Sequence, residues 1–323
     1  MDDERWTMKT RVLIVQSSMV YRLSSIVHCF MSNDFSIARA IVEAAQILRQ
    51  AGVPEARREA ASLLEHVIKR DRTFLITHAE TALASSEVRN LRDLVERRAS
   101  GEPLQYITGH QDFYGLEFEV TPDVLIPRPE TELLVETAIE LLDKTEQPAR
   151  ICDVGTGSGC IPITILHERP AVQAVGLDIS LPALRVAARN GARHKVTARL
   201  DLIASDCLSA LALNGARFSM IVSNPPYVAE AALTGLQREV RDHEPRVALT
   251  PGGDGLRIIH RLITDAPRFL DAGGYLLMEI GFDQHEKVEN LIDRQVWELL
   301  DIHKDLQGIP RTVALRKIQD PDS

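Results

Sequence analysis

Residues 150–160 read Arg150-Ile151-Cys152-Asp153-Val154-Gly155-Thr156-Gly157-Ser158-Gly159-Cys160. A short apolar run enters a loop with glycine at every second position, and the pattern then turns helical. Glycine lets backbone turn without a Cβ clash and lets a ligand approach closely. Read outward from here, strand and helix patterns alternate. Strands are expected at 172–177, 200–204, 218–222 and 275–280, with helices at 160–167 and 181–190. That is a doubly wound α/β pattern with a mostly parallel sheet. Ligands of such sheets lie at the carboxyl ends of the strands.

Four strand ends carry polar groups suited to a ligand. The first is the glycine loop. A dinucleotide site calls for GxGxxG with a pyrophosphate on the helix N-terminus. This chain has GxGxG with Asp153 two places before it, which suits a zwitterion such as S-adenosylmethionine better. Asp178 ends the next strand about 20 residues on, where a carboxylate can take two ribose hydroxyls. Asp206, in Ser205-Asp206, ends the third and can accept from an adenine amino group. The fourth opens into Ser223-Asn224-Pro225-Pro226-Tyr227. Each proline fixes its own φ and removes an N–H, and the residue before it is pushed towards extended geometry. The turn thus offers carbonyl acceptors beside the Asn224 oxygen and the Tyr227 ring. Such a set suits a planar NH2 group gripped by both hydrogens. As structure alone, it is a proline-rich loop after a strand.

The first half of the chain has another character. Apolar residues recur at helical spacing over 35–50, 55–70 and 86–99, so that residues 35–103 read as a small helical bundle. Residues 113–120 alternate around Gly115 as a hairpin. Then comes Pro127-Arg128-Pro129-Glu130-Thr131-Glu132, where Pro129 can open a helix and the two glutamates complement its dipole. Arg128 reads as a surface cation.

At 323 residues the chain is long enough for two domains. A net charge of −9 gives no basic surplus to drive binding to a nucleic-acid backbone. The cysteines, Cys29, Cys152, Cys160 and Cys207, have no CxxC spacing and no histidine cluster beside them. Zinc and disulfides are therefore not expected, and a reducing cytoplasm is. No apolar run of about 18 residues is present to span a membrane. Residues 1–34 read as an extension without fixed structure, with Met31 as a natural start; the early Asp2, Asp3 and Glu4 speak against a targeting helix.

From residue 35 onward the chain resembles the release-factor glutamine methyltransferases of the HemK/PrmC type. The resemblance rests on LIPRPETE (125–132), DVGTGSGC (153–160), the Asp178 strand end, SNPPY (223–227), EPRVAL-TPGGDGL (244–256) and EIGFDQ (279–284). It implies a Rossmann-like class I methyltransferase domain with a seven-stranded sheet at 129–323. A helical substrate-recognition domain at 35–103 and a hairpin linker at 104–128 would precede it. It also implies methyl transfer from S-adenosylmethionine, without a metal, to the glutamine of the Gly-Gly-Gln motif in peptide chain release factors. By the same resemblance Gly155, Thr156, Gly157, Ser158, Gly159, Asp178, Asp206, Cys207 and Asn224 would hold the cofactor. Asn224 and Pro225 would be catalytic, and Asn224, Pro225, Pro226 and Tyr227 would hold the substrate. One departure stands out: Cys207 occupies a place where family members can carry an aromatic residue to stack on adenine.

An amide nitrogen is a poor nucleophile, because its lone pair is delocalised into the carbonyl. The Asn224 oxygen and the Pro225 carbonyl can accept its two hydrogens and align it with the methyl donor. Positioning of this kind contributes roughly 7–11 kcal/mol at best. No general base is visible. Four rivals use parts of the same pattern: a glutamine methyltransferase of a ribosomal protein, an amino-methyltransferase of DNA or RNA, a nicotinamide dehydrogenase, and a binding module with a vestigial site. The acidic balance counts against the second, the glycine spacing against the third, and the intact Asn224 and glycines against the fourth.

Overall fold

A computed structural model describes residues 35–145, 148–213, 215 and 217–318. The expected extension at 1–34 lies outside the described residues.

The chain divides into two units, one ending at Ser100 and one beginning at Gly101. The first holds α1 (Ile37–Gln50), α2 (Ala56–Ile68), α3 (Arg72–Thr77) and α4 (Ser85–Ala99). The three longer helices match the periodic segments. Each buries an apolar stripe, such as Ala40, Ala44 and Leu48 of α1 or Leu91 and Val95 of α4. The short α3 gives no periodic signal. It is nucleated by Asp71, whose side chain accepts from the Phe74 N–H at 2.8 Å as an N-cap.

The second unit opens with α5 (Leu104–Thr108) and an antiparallel hairpin of β1 (His110–Phe113) and β2 (Leu116–Glu119). Then follow α6 (Glu130–Leu142), β3 (Arg150–Val154), α7 (Cys160–Glu168), β4 (Gln173–Asp178), α8 (Leu181–Arg193), β5 (Leu200–Ala204) and β6 (Phe218–Ser223). Three short helices come next, α9 (Arg238–His243), α10 (Arg246–Leu249) and α11 (Arg257–Asp265). β7 (Leu270–Glu279), α12 (His285–Glu289), β8 (Trp297–Lys304) and β9 (Pro310–Lys317) close the unit.

The sheet has seven strands in the order β5-β4-β3-β6-β7-β9-β8. The first five are parallel, and β9 is antiparallel to both its neighbours. Strand alternation sends Ile151, Ala174, Met220 and Leu277 to one apolar core, where they meet Leu134 of α6 and Ile163 of α7. Cys152, Val175, Ile221 and Met278 go to a second core with Ile259 and Leu262 of α11. Both faces are covered, as a parallel sheet requires.

From β3 the chain steps outward to β4 and β5, then returns to β6 on the other side of β3. The order reverses between β3 and β6, and their carboxyl ends flank a crevice. The hairpin is fastened beside it by Asn190 of α8. Its Oδ1 accepts from the Glu119 N–H at 2.8 Å, and its Nδ2 donates to the carbonyls of Glu119 and Ser158 at 3.0 and 2.9 Å. Phe113 and Phe118 of the hairpin are buried in the first core.

Candidate active site

The glycine loop after β3 is held against β4: the N–H groups of Gly155 and Thr156 both donate to the Leu177 carbonyl, at 2.8 and 2.9 Å. One residue further along β4, the Asp178 carboxylate accepts from the Gly157 N–H through Oδ2 and from the Ser180 N–H through Oδ1, each at 2.8 Å. Burial raises the Asp178 pKa, and these backbone donors oppose the rise. The carboxylate therefore sets the loop's shape while keeping further lone pairs for a ligand.

A cavity of about 280 Å³ opens at the strand ends. Among the expected residues, Gly155, Thr156, Gly157, Ser158, Asp178, Asp206, Cys207, Asn224, Pro225 and Pro226 line it. Gly159 and Tyr227 are not among the lining residues. Gly159 has φ +80°, and a Cβ there would come within 2.8 Å of Ile163 Cδ1 and 3.2 Å of Ala187 Cβ. It is a packing position, where the loop meets α7 and α8. Tyr227 is turned into protein, where its hydroxyl donates to Glu279 Oε1 at 3.0 Å and its carbonyl accepts from Gln284 Nε2 at 2.9 Å. Burial above all, and then the Glu279 charge, pushes the Tyr227 phenol pKa far up.

Asp153 also lies off the cavity. It is fully buried beneath the loop, and neither carboxylate oxygen has a hydrogen-bond partner. Burial pushes its pKa up to about 7; the nearby Thr156 hydroxyl pulls against the rise and the Asp178 charge adds to it.

At the end of β5, Asp206 points to the surface and is bound by Arg261, with Nη1 to Oδ1 at 2.7 Å. That hydrogen bond holds the Asp206 pKa below the usual carboxylate range. Cys207 sits in the left-handed region with φ 49°. Its carbonyl accepts from the Ser205 hydroxyl at 2.6 Å, which fixes the turn. Ile179 and Ile258 also line the cavity, and Ile179 is 60% exposed.

At the end of β6 the Asn224 Nδ2 donates to Thr131 Oγ1 at 2.9 Å. The Thr131 hydroxyl in turn donates to Glu279 Oε2 at 2.6 Å. Glu279 is 1% exposed, so both its oxygens are held by hydroxyls from inside the protein. Burial raises its pKa, and the two hydroxyls and Arg311 oppose the rise. One Nδ2 hydrogen is held by Thr131, and no protein donor among the described residues takes Oδ1, which leaves that oxygen free to accept at the cavity that Asn224 lines.

Two residues at the site carry no sequence reading of their own, and a third departs from its reading. Thr131 and Glu279 lay within quoted motifs but had no chemical pattern to mark them. Arg128 lines the cavity, and its Nη2 donates to Oε1 of the buried Glu244, which also accepts from the Ile126 N–H at 3.4 Å. It is a held cation rather than a free surface one. The helix predicted to open at Pro129 does so, with Pro129 as its N-cap. Among the described residues, no group of three or more His, Cys, Asp or Glu is arranged to hold a metal, and no helix is long and apolar enough to cross a membrane.

The family described as PrmC N-terminal domain matches residues 39–109, and the family described as methyltransferase small domain matches residues 129–305. A release factor glutamine methyltransferase of Koribacter versatilis is 42% identical over 282 residues, which cover 87% of this chain and 99% of that protein. One from Nitratidesulfovibrio vulgaris is 41% identical over 276 residues, covering 85% and 92%. A solved structure of a protein-(glutamine-N5) methyltransferase (release factor-specific) from Alicyclobacillus acidocaldarius is 29% identical. It covers 62% of this chain and 99% of that one, with a TM-score of 0.38. The chain belongs to the release factor glutamine methyltransferases of the HemK/PrmC type, and is a protein-glutamine methyltransferase.

Proposed function

We propose that the protein methylates the side-chain amide nitrogen of the glutamine in the Gly-Gly-Gln motif of peptide chain release factors, with S-adenosylmethionine as donor, in the cytoplasm. The observation that carries this reading is the fixed direction of the Asn224 amide. Nδ2 is tied to Thr131, so a carbonyl oxygen is left at a cavity lined by Pro225 and Pro226, which have no N–H to offer. A wall of acceptors of this kind fits a donor-only group with two hydrogens.

The residues present also fit the donor. Asp178 offers lone pairs at the end of β4, where two neighbouring hydroxyls of a ribose would sit. Ile179 and Ile258 offer apolar faces to a flat ring, and the exposed Ile179 would lose water contact against it. Gly155, Thr156, Gly157 and Ser158 would face the amino-acid part. Cys207 contributes little stacking area, so the two isoleucines take the role an aromatic could have. Asp206, bound to Arg261, would meet the ring's polar edge with its remaining lone pairs. When bound, S-adenosylmethionine supplies an electrophilic methyl group on a sulfonium.

The chain's own contribution is positioning. Asn224 Oδ1 and the Pro225 carbonyl accept the two amide hydrogens, holding the nitrogen at one place and angle. Tyr227 supports the turn from behind, through Glu279, in place of the stacking partner expected for the substrate amide.

Incubation with labelled S-adenosylmethionine and a purified release factor, followed by peptide mapping, tests the proposal. Label is expected on the Gly-Gly-Gln glutamine; label confined to a ribosomal protein or to RNA in parallel incubations would reassign the substrate.

A further inference from the structure

The Asn224 amide has two ends of similar size, and only one of them suits a substrate NH2. Its orientation is set from within the protein. Glu279, on β7, lies at the end of a short chain of hydrogen bonds through Thr131, on the first turn of α6, to Asn224. In its ionised form Glu279 accepts and cannot donate. Its Oε1 takes the Tyr227 hydroxyl and its Oε2 takes the Thr131 hydroxyl. Thr131 has a single hydroxyl hydrogen, and Glu279 uses it. What Thr131 has left for Asn224 is a lone pair, which only the NH2 end of the amide can meet. A flipped Asn224 would set Oδ1 against that lone pair and turn two N–H donors to the cavity.

We propose that Thr131 and Glu279 are positioning residues for methyl transfer: together they lock the Asn224 amide with its oxygen towards the substrate. The inference rests on the reading of Asn224 as an amide acceptor. The charge that faces Glu279 with the opposite sign is Arg311, itself bound to Asp305 at 3.1 Å; Glu130 adds a like charge. Glu279, Thr131 and Tyr227 come from three separate elements, so the lock also joins β7, α6 and the turn after β6.

The test compares full-length Thr131→Val, Thr131→Ser, Glu279→Gln and Asn224→Ala. The readouts are kcat and KM on a purified release factor, the Kd for S-adenosylhomocysteine by calorimetry, and Tm. Valine has the shape of threonine but no hydroxyl. Its loss frees the amide to flip and is expected to lower kcat by about tenfold, the scale of one hydrogen bond, with KM and Kd near the wild type; Tm falls as well, because one oxygen of the buried Glu279 loses its donor. Serine restores the hydroxyl and should restore kcat. Glutamine at 279 can donate to Thr131 and so release the constraint in part, giving an intermediate kcat. Wild-type kcat in Thr131→Val beside an inactive Asn224→Ala would overturn the lock and leave the Asn224 reading in place. So would equal losses in valine and serine, or a kcat loss that follows Kd. Normal turnover by Asn224→Ala would overturn both.

Discussion

Asn224 and Thr131 are 93 positions apart in the chain, yet Nδ2 of one donates to Oγ1 of the other at 2.9 Å. The contact joins the carboxyl end of β6 to the first turn of α6 and decides which atom of the amide faces the cavity. A loop asparagine free to rotate would present donor and acceptor by turns. This one presents an acceptor.

Replacing Asn224 by alanine removes one of the two oxygens assigned to the substrate amide. Methyl transfer to a release factor should fall by about 10²-fold or more, the range seen when one preorganised polar group is lost from a site. Calorimetry with S-adenosylhomocysteine should show a much smaller change in affinity. Normal turnover would remove the amide-gripping role.

Asp178→Ala should act on the cofactor first. The carboxylate both accepts from the Gly157 and Ser180 N–H groups and faces the cavity, so its loss loosens the loop and deletes a ligand acceptor together. Affinity for S-adenosylhomocysteine should fall about tenfold or more, as expected for a charged hydrogen bond. An unchanged Kd would take Asp178 out of the binding site.

Asp153 couples folding to pH. Its folded pKa is pushed up to about 7 from the ordinary 3.8, chiefly by burial. Between those values the folded state holds a proton that the unfolded chain has released, so the contribution of Asp153 to stability is most favourable below about pH 4 and is lost as pH rises to about 7. The full span is on the order of 4 kcal/mol. Asp153→Asn mimics the neutral form, and denaturant titrations from pH 4 to 7 should show a flatter loss of stability than in the wild type. An identical slope would show that Asp153 does not titrate in this window.

Gly255 leaves no room for a side chain. Its φ is +86°, and a Cβ would lie 2.2 Å from the Tyr227 carbonyl oxygen, on backbone that cannot swing away. Gly255→Ala should push the turn after β6 out of place and destabilise the fold by about 1–3 kcal/mol, the usual cost of overpacking. Thermal melts and transfer assays should show Tm and kcat falling together. A variant with wild-type values of both would mean that the turn has slack.

Much of the site was legible because each strand that reaches it ends in a chemical signal. Glycines follow β3, Asp178 ends β4, Ser205-Asp206 follows β5 and the paired prolines follow β6; each is readable within a few residues of local sequence. What was not legible depends on pairs far apart in the chain. Thr131 and Glu279 are separated by 148 positions, and Arg128 and Glu244 by 116. No spacing rule joins them, since β6 and β7 must first come together on one side of β3. The same reason hides the partner of Asp206, which sits on α11. The Tyr227 hydroxyl reaches a carboxyl that only the folded sheet supplies, a partner that a ring next to two prolines does not announce. The final pair β8 and β9 gave no strand signal of its own in the local reading. Its edge strand β8 is mostly exposed or half-buried, and Glu298, Asp301 and Lys304 break the apolar alternation.

The proposed function stands on Asn224 Oδ1 and the Pro225 carbonyl holding a substrate carboxamide. A crystal structure of the protein with S-adenosylhomocysteine and a release factor tests it most directly. The glutamine amide nitrogen should lie about 2.9 Å from both oxygens, with Nδ2 of Asn224 still on Thr131. Asn224 turned so that Oδ1 meets Thr131, or a glutamine lying outside the cavity, would contradict it.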